Sequence, residues 1–511
     1  MFFLAEIANV LADEHNVTVV TLVPINSVSL DKRITVVTPQ GKGLTQTTEE
    51  FHKDVSDFIG NTIVDSKDST KMHINLFTGV GNGAATTQNA WKRTFKLRMN
   101  FFASDEYFNL IKSGGFDAIV IEDPMFIEAA MPIHEFEIPF VTFTPVFDHF
   151  TPRKRQNYPQ LFNSEPSYLM PDPVETPPSF KRRVSAIGDI FSFLYTCYKS
   201  SYFTLLGENL SKYGLKTVDD LNHQVHLTLI NDHPALSFPH LDPLNAINVG
   251  CFYCSPAKPL PDDITQFMDS SETSVIYVSF GTYAASENVP WYDEFLSILE
   301  DLDIKVILKG VGGDKSGVGA LSDKFLVKSW VSQKDLLGSG KIKVFISHCG
   351  NNGRLESVFY KVPILCVPLF GDQYMNARVI QKRKFGRMVL KEEMFGENGG
   401  LVEALSEMMD NHSFYKDNTA IASEILQSAP ASGSDKILYY FRLLVKNGNL
   451  EFMKNEVILG QSMIEMYNLD LVFGMVVMVI ALMLLILFIF VKCCCMVKRK
   501  AQSCIGKAKS D

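Results

Sequence analysis

FLVKSWVSQKDLLGSGKIKVFISHCGNNGRLESVFYKVPILCVPLFGDQYMNAR, running from Phe325 to Arg378, is the stretch on which the reading of the whole chain turns. Lys341 to Ser347 alternates apolar and polar residues at strand spacing. His348-Cys-Gly350-Asn-Asn-Gly353 then turns the chain into a short helix expected to begin near Arg354. A strand feeding a glycine-bearing turn and then a helix aims free backbone N–H groups and the positive end of a helix dipole at one point, which suits a phosphate. His348 and Asn352 add side-chain donors there, and Glu356, one turn along the helix, is placed to accept from the hydroxyls of a ribose. An ordinary strand-to-helix packing unit carries the same glycines, so the flanks matter.

Trp330, three residues before Gln333, offers an aromatic face for a base and an amide for its polar edges; a core tryptophan is the alternative. Asp372-Gln373, after the apolar run Ile364 to Leu369, offers acceptors for sugar hydroxyls; a solvated turn is the alternative. The ordered set W-x-x-Q, H-x-G-x-N-x-x-x-E and P-L-F-G-D-Q resembles the donor-binding motif of the UDP-glycosyltransferases, membrane-bound enzymes that attach a sugar to small lipophilic molecules. The resemblance implies the GT-B architecture, two facing Rossmann-like doubly wound α/β domains plus one C-terminal transmembrane helix. It also implies roles: Trp330 stacks on uracil, Gln333 and Glu356 hold the nucleoside, His348, Gly350, Asn352 and Gly353 hold the diphosphate, and Asp372 with Gln373 hold the sugar. Where the family has Ser or another small polar residue after the Asn, this chain has Gly353, which keeps the backbone N–H and loses one hydroxyl donor.

The chain has 511 residues, 46% of them hydrophobic, enough for two domains of roughly 200 residues each and further segments. A net charge of -9 gives no basic footprint, so nucleic acid is not an expected partner. Nine cysteines show no repeating spacing and no paired histidines, so no metal site is expected. Cys251 and Cys254 form a lone C-x-x-C that lacks the second half of a zinc site and reads as incidental.

Residues 2 to about 12 place Phe3, Ile7, Val10 and Leu11 on one helical face, and a β-branched strand follows from His15 to Val23. A doubly wound domain ordinarily opens on a strand. By comparison with the family, the sequence starts downstream of a signal peptide, a first strand and the histidine that serves as general base, and His15 reads as a loop residue. Phe116 to Pro124 is a strand ending in Glu122 and Asp123, at the sheet end where sites of α/β proteins lie. The family acid that orients the base falls on Asp123 or, counted differently, on Glu122; both also suit the cap of the next helix. Residues 151–183 read as a long proline-rich loop, and the resemblance assigns this region to the acceptor pocket, with Phe143, Phe147 and Phe150 either lining it or lying in the core. Val275 to Thr282 is a buried strand and turn whose Ser279, Gly281 and Thr282 suit a further phosphate or sugar contact, or are a plain turn. Val306 to Lys309 supplies another parallel strand, and Ser406 to Lys446 is largely helical. The expected divisions are an acceptor domain at 1–248, a linker at 249–273, a donor domain at 274–466 whose last helix returns to the first domain, a span at 471–491 and a tail at 492–511.

Leu471 to Val491 carries no charge over 21 residues. At about 1.5 Å per residue that crosses a hydrocarbon core of about 30 Å. Lys492, Lys498, Arg499, Lys500, Lys507 and Lys509 follow it, which predicts a cytoplasmic tail and a lumenal main part. The resemblance implies the endoplasmic-reticulum membrane, and Lys507-x-Lys509 resembles a dilysine retrieval tag. Cys493 to Cys495 stand at the bilayer edge, where S-palmitoylation occurs. Two functions follow. One is inverting transfer of a hexosyl group, glucose or glucuronic acid, from a UDP-sugar co-substrate to a hydroxyl of a small lipophilic acceptor, without metal or other cofactor. The other is a catalytically silent UDP-sugar-binding membrane protein that modulates active relatives, with partners of its own or a related kind.

Overall fold

The computed structural model describes residues 2–20, 29–37, 98–123, 126–145, 201–238, 242–270, 273–281, 291–310, 321–369, 372–395, 399–454, 463–466 and 468–507. They fall into two compact units, one running to Lys454 and one carrying the C-terminal helix. In chain order the elements used below are α1 (Phe2–Leu11), β1 (Thr18–Val20), β2 (Thr35–Val37), β3 (Ile119–Glu122), β4 (Phe140–Thr144), β5 (Val225–Ile230), β6 (Ala246–Asn248), β7 (Val275–Ser279), β8 (Lys305–Lys309) and β9 (Phe325–Lys328). After these come α2 (Gln333–Leu337), β10 (Ile342–Ser347), α3 (Asn351–Phe359), β11 (Ile364–Cys366), α4 (Gln373–Arg383), β12 (Gly386–Met388), α5 (His412–Gln427), α6 (Gly433–Asn447) and α7 (Leu469–Lys507).

One parallel sheet runs β12-β11-β10-β7-β8-β9, a second runs β3-β4-β5-β6, and β1 pairs with β2 separately. Apolar side chains on both faces are what allow such strands to be covered on both sides, and they appear here as alternating memberships of two cores. Tyr277, Ile307, Phe345 and Ile364 face one cluster; Ile276, Val278, Val306, Leu308, Val344 and Ile346 face the other. The first of these clusters also takes Val141, Phe143, Leu227 and Leu229 from the second sheet, so one face of each sheet contributes to a shared apolar core.

Two expectations change at this level. The helix after the glycine turn begins at Asn351, three residues earlier than the sequence suggests, with Gly350 as its N-cap. Cys251 and Cys254 are disulfide-bonded to each other, and so are Cys349 and Cys366, because the β10 and β11 ends lie side by side. Phe143 is fully buried and packs edge-on against Phe252 at 6.1 Å, which makes it a core residue. The loop at 151–183, with Phe147, Phe150 and Thr282, lies outside the described residues.

α6 packs against α1, with Arg442 hydrogen-bonded to both carboxylate oxygens of Glu14. Its exit buries Leu450 completely, and Lys454 reaches the carbonyl of His223 at 2.6 Å. In the other unit, α7 contains one segment, Leu469–Met496, long and apolar enough to cross a membrane.

Candidate functional site

The carboxyl ends of β7 and β10 are adjacent, and the chain leaves both through glycine. His348, the first residue after β10, lies between Gly281 and Gly350. A Cβ on Gly350 would stand 2.6 Å from its Nε2, and one on Gly281 would stand 2.8 Å from its Cε1. Glycine is therefore required on both sides of the ring, and at Gly281 a φ of 81° adds a second reason. Burial pushes the imidazole down to about 4, against a weaker opposing pull from the hydrogen bond it donates to the Ser279 carbonyl and with Lys309 adding to the depression. His348 is a neutral hydrogen-bonding group at physiological pH. Ser279 itself is buried, its hydroxyl accepting from the Gly281 N–H at 3.4 Å.

Since α3 starts at Asn351, the N–H groups of Asn351, Asn352 and Gly353 form its first turn and have no partner within the helix. The first helical bond closes from the Arg354 N–H to the Gly350 carbonyl at 3.1 Å. Glycine at 353 has a packing reason as well, because a Cβ there would sit 3.3 Å from both the Phe345 ring and the Ser347 hydroxyl. The turn is braced from its other side: Asn376 donates to the Cys349 carbonyl at 3.0 Å and to the Asp372 carboxylate at 2.9 Å. That contact brings Asp372, half-exposed at the start of α4, to the same sheet edge as His348. Gln373 is buried, its amide oxygen taken by the Leu369 N–H at 2.8 Å.

A chain of hydrogen bonds links β7, α2 and α3. The Tyr277 hydroxyl donates to the Gln333 amide oxygen at 3.2 Å, and the Gln333 amide donates to Glu356 at 2.7 Å. Burial raises the Glu356 carboxyl to about 7, with Gln333, Lys334 and Lys309 opposing. Trp330 is 72% exposed, leaving an indole face open at the mouth of α2. Sequence reading missed Lys309. It ends β8 on the same sheet face as Ile307 and Tyr277, half-buried, lowered by desolvation and supported by the Glu356 charge. Among the described residues its ammonium has no hydrogen-bond or ion-pair partner. The legible signal was a lysine closing an apolar strand at the edge where the motif lies.

Sequence reading also missed what holds α3 to the other sheet. Asn351 donates to the carbonyls of Pro145 at 3.0 Å and Asn231 at 2.7 Å, and Asn231 donates to the Asn352 amide oxygen at 3.3 Å. Arg354, fully buried, pairs with the fully buried Asp232 at 2.7 Å and also binds Asn351 and the Leu236 carbonyl. Asp123 stands at the end of β3, its carboxylate accepting from the Thr144 hydroxyl at the end of β4; Glu122 is the last residue of β3 itself. Both carboxylates therefore lie at the carboxyl edge of the second sheet, the edge that meets α3.

The family model described as UDP-glucoronosyl and UDP-glucosyl transferase matches residues 4–509. Among characterised proteins the chain is similar to UDP-glycosyltransferase UGT4 of Dactylopius coccus, 29% identical over 285 residues, 55% of each chain. It is similar also to UDP-glucuronosyltransferase 2B17 of Mus musculus, 29% identical over 233 residues, 45% of this chain and 43% of that protein. A third is the 2-hydroxyacylsphingosine 1-beta-galactosyltransferase of Homo sapiens, 29% identical over 252 residues, 48% of this chain and 46% of that protein. The chain spans about half the length of the curated relatives it matches. Of solved structures, UDP-glucose: anthocyanidin 3-O-glucosyltransferase in complex with UDP is similar with a TM-score of 0.52 at 16% identity, covering 87% of this chain and 95% of that one. Spinosyn forosaminyltransferase SpnP is similar with a TM-score of 0.53 at 17% identity and the same coverage. These likenesses give the fold, which is GT-B.

Proposed function

We propose, from the premise that the chain belongs to the UDP-glucuronosyl and UDP-glucosyl transferase family, that it moves a hexosyl group from a UDP-sugar to a hydroxyl of a small lipophilic acceptor. The observation that carries this reading is the shared edge of β7, β8 and β10. At that edge lie the first-turn N–H groups of α3, the neutral His348 ring and Lys309; the Tyr277–Gln333–Glu356 chain links β7 to α3, and Trp330, three residues before Gln333, is exposed.

In this reading the indole of Trp330 stacks on uracil, and Glu356 accepts from the ribose hydroxyls while Gln333 holds its other oxygen in place. The N–H groups at Gly350, Asn352 and Gly353 and a donated bond from His348 receive the diphosphate. Because His348 is uncharged, the positive charge opposite the departing diphosphate comes from Lys309. Only β7 stands between β8 and β10, so Lys309, which ends β8, shares one sheet edge with the turn that opens α3. Ser279 serves the phosphate end, Asp372 accepts from the hydroxyls of the sugar, glucose and glucuronic acid being the two considered, and Gln373, its amide oxygen held by the Leu369 N–H, serves the sugar through its amide N–H groups. Displacement at the anomeric carbon inverts its configuration, and Asp123 or Glu122 orients the base that deprotonates the acceptor. The chain divides as acceptor domain, 1–248; linker, 249–273; donor domain, 274–466; span, 471–491; tail, 492–511. Its catalytic part lies in the lumen of the endoplasmic reticulum, with the basic tail in the cytoplasm.

A second reading is a UDP-sugar-binding protein without transfer activity of its own. The experiment that tests the first reading is a thermal-shift screen of the purified protein against UDP, ADP, UDP-glucose and UDP-glucuronic acid, followed by a transfer assay. Stabilisation by the uridine nucleotides, with ADP without effect, and product formation support it. Stabilisation without product selects the silent protein, and no stabilisation removes both.

A further inference from the structure

We propose that Cys493, Cys494 and Cys495 form an S-acylation site for a long-chain fatty acyl group at the cytoplasmic edge of the membrane span. The proposal rests on the orientation given above and on four observations that do not involve the nucleotide site. The first is depth. The uncharged run Leu471–Val491 is 21 residues of continuous helix, about 31 Å at 1.5 Å per residue, and so ends where a hydrocarbon core of about 30 Å ends. Lys492 marks that edge, its ammonium 5.0 Å from the Phe488 ring. The three thiols occupy the next turn, from which an attached chain can fold back among the lipid tails without carrying a charge with it.

The second observation is access. Successive helical residues are about 100° apart, so three in a row sweep about 200° of the circumference and present a thiol to most directions of approach. All three are exposed and free. The third is redox state. Cys251, Cys254, Cys349 and Cys366 in the other unit are paired as disulfides, which fits an oxidising lumen for that unit. Cys493 to Cys495 are thiols, the form that acylation requires. The fourth is charge: Lys498, Arg499 and Lys500 follow within two turns and favour the anionic cytoplasmic leaflet, holding the cysteines at the lipid surface.

The reaction is a thioester exchange. A cysteine thiolate attacks the carbonyl carbon of an acyl-CoA thioester, a new S–C bond forms, the CoA–S bond to that carbon breaks, and the CoA thiolate takes up the proton the cysteine gave up. Neither oxidant nor reductant is required.

The test uses the full chain expressed in cultured cells. Free thiols are blocked, thioesters are cleaved with hydroxylamine, and the released thiols are tagged with a mass-shifting maleimide. The expected result is a hydroxylamine-dependent ladder of one to three shifts, lost in the variant carrying Cys493→Ser, Cys494→Ser and Cys495→Ser, which remains in the membrane because the span is intact. A ladder undiminished in that variant, or no ladder at all, overturns the proposal. In parallel, an impermeant maleimide applied to sealed vesicles reports which side the tail occupies. A cytoplasmic tail without a ladder defeats acylation alone, whereas a tail reached only after detergent defeats both acylation and the orientation it rests on.

Discussion

Glu356 is the residue where environment and role can be read against each other. Its carboxyl is raised to about 7 by burial, so between the ordinary value near 4.5 and 7 the folded protein holds a proton that the unfolded chain has released. Over that window its contribution to stability falls as pH rises. In the proposed role binding runs the other way, since an ionised carboxylate is the better acceptor for ribose hydroxyls. Uridine affinity should therefore rise by about tenfold between pH 6 and pH 8, the span over which a group of pKa near 7 ionises, and should be flat in Glu356→Gln. Titration calorimetry with uridine, which unlike UDP has no phosphate to titrate, measures this; a flat profile in the unaltered protein would remove Glu356 from the ribose. Glu356→Ala should cost a few kcal/mol of UDP-sugar binding at most. Lys309 makes the complementary prediction. Lys309→Met should weaken UDP by about tenfold or more, the order of one charge-assisted contact, and leave uridine unchanged. An equal loss for both ligands would make Lys309 a counter-charge to Glu356 instead.

At the scale of elements, α3 does two things with one set of residues. Its first turn presents N–H groups at the β10 edge, and its Asn351, Asn352 and Arg354 fasten it to the ends of β4 and β5 in the other sheet. The Arg354–Asp232 pair has no access to solvent on either side, so removing one partner strands a buried charge. Arg354→Met should lower stability by about 3–5 kcal/mol, and much of that should return when Asp232→Leu is added, as judged by urea unfolding of the purified protein. A loss under 1 kcal/mol would mean the pair is solvated. The Cys349–Cys366 disulfide closes a loop of 17 residues across β10 and β11. Its reduction should cost about 3 kcal/mol on the chain-entropy estimate, seen as a lower urea midpoint in the presence of reductant; in Cys366→Ala reductant should leave only the smaller effect of opening Cys251–Cys254. Cys349 needs such a tether, since it holds a φ of 61°, a left-handed conformation unusual for a residue with a side chain.

For the whole molecule, the shared core has a consequence for cooperativity. Leu444 and Leu450, at the end of the return helix, are fully buried in the same cluster as Phe143 and Leu229 of one sheet and Tyr277 and Phe345 of the other. Leu444→Ala should cost about 2–5 kcal/mol and lower the unfolding of both sheets together, giving one calorimetric transition; two separated transitions would show that the lobes unfold independently. The strands Val275–Ser279, Lys305–Lys309 and Ile342–Ser347, the glycine turn and the membrane-length helix were legible in the sequence, because each rests on local periodicity, backbone preference or the length of an uncharged run. So was the family, because the residues that carry the resemblance stand close together along the chain. The partners of Arg354 and Asn351, the joining of Cys349 to Cys366, the neutral state of His348 and the placing of Lys309 were decided only by the tertiary structure. Each depends on which strand ends the parallel sheets bring side by side and on how much water is then excluded, and no pattern of neighbours along a chain specifies either.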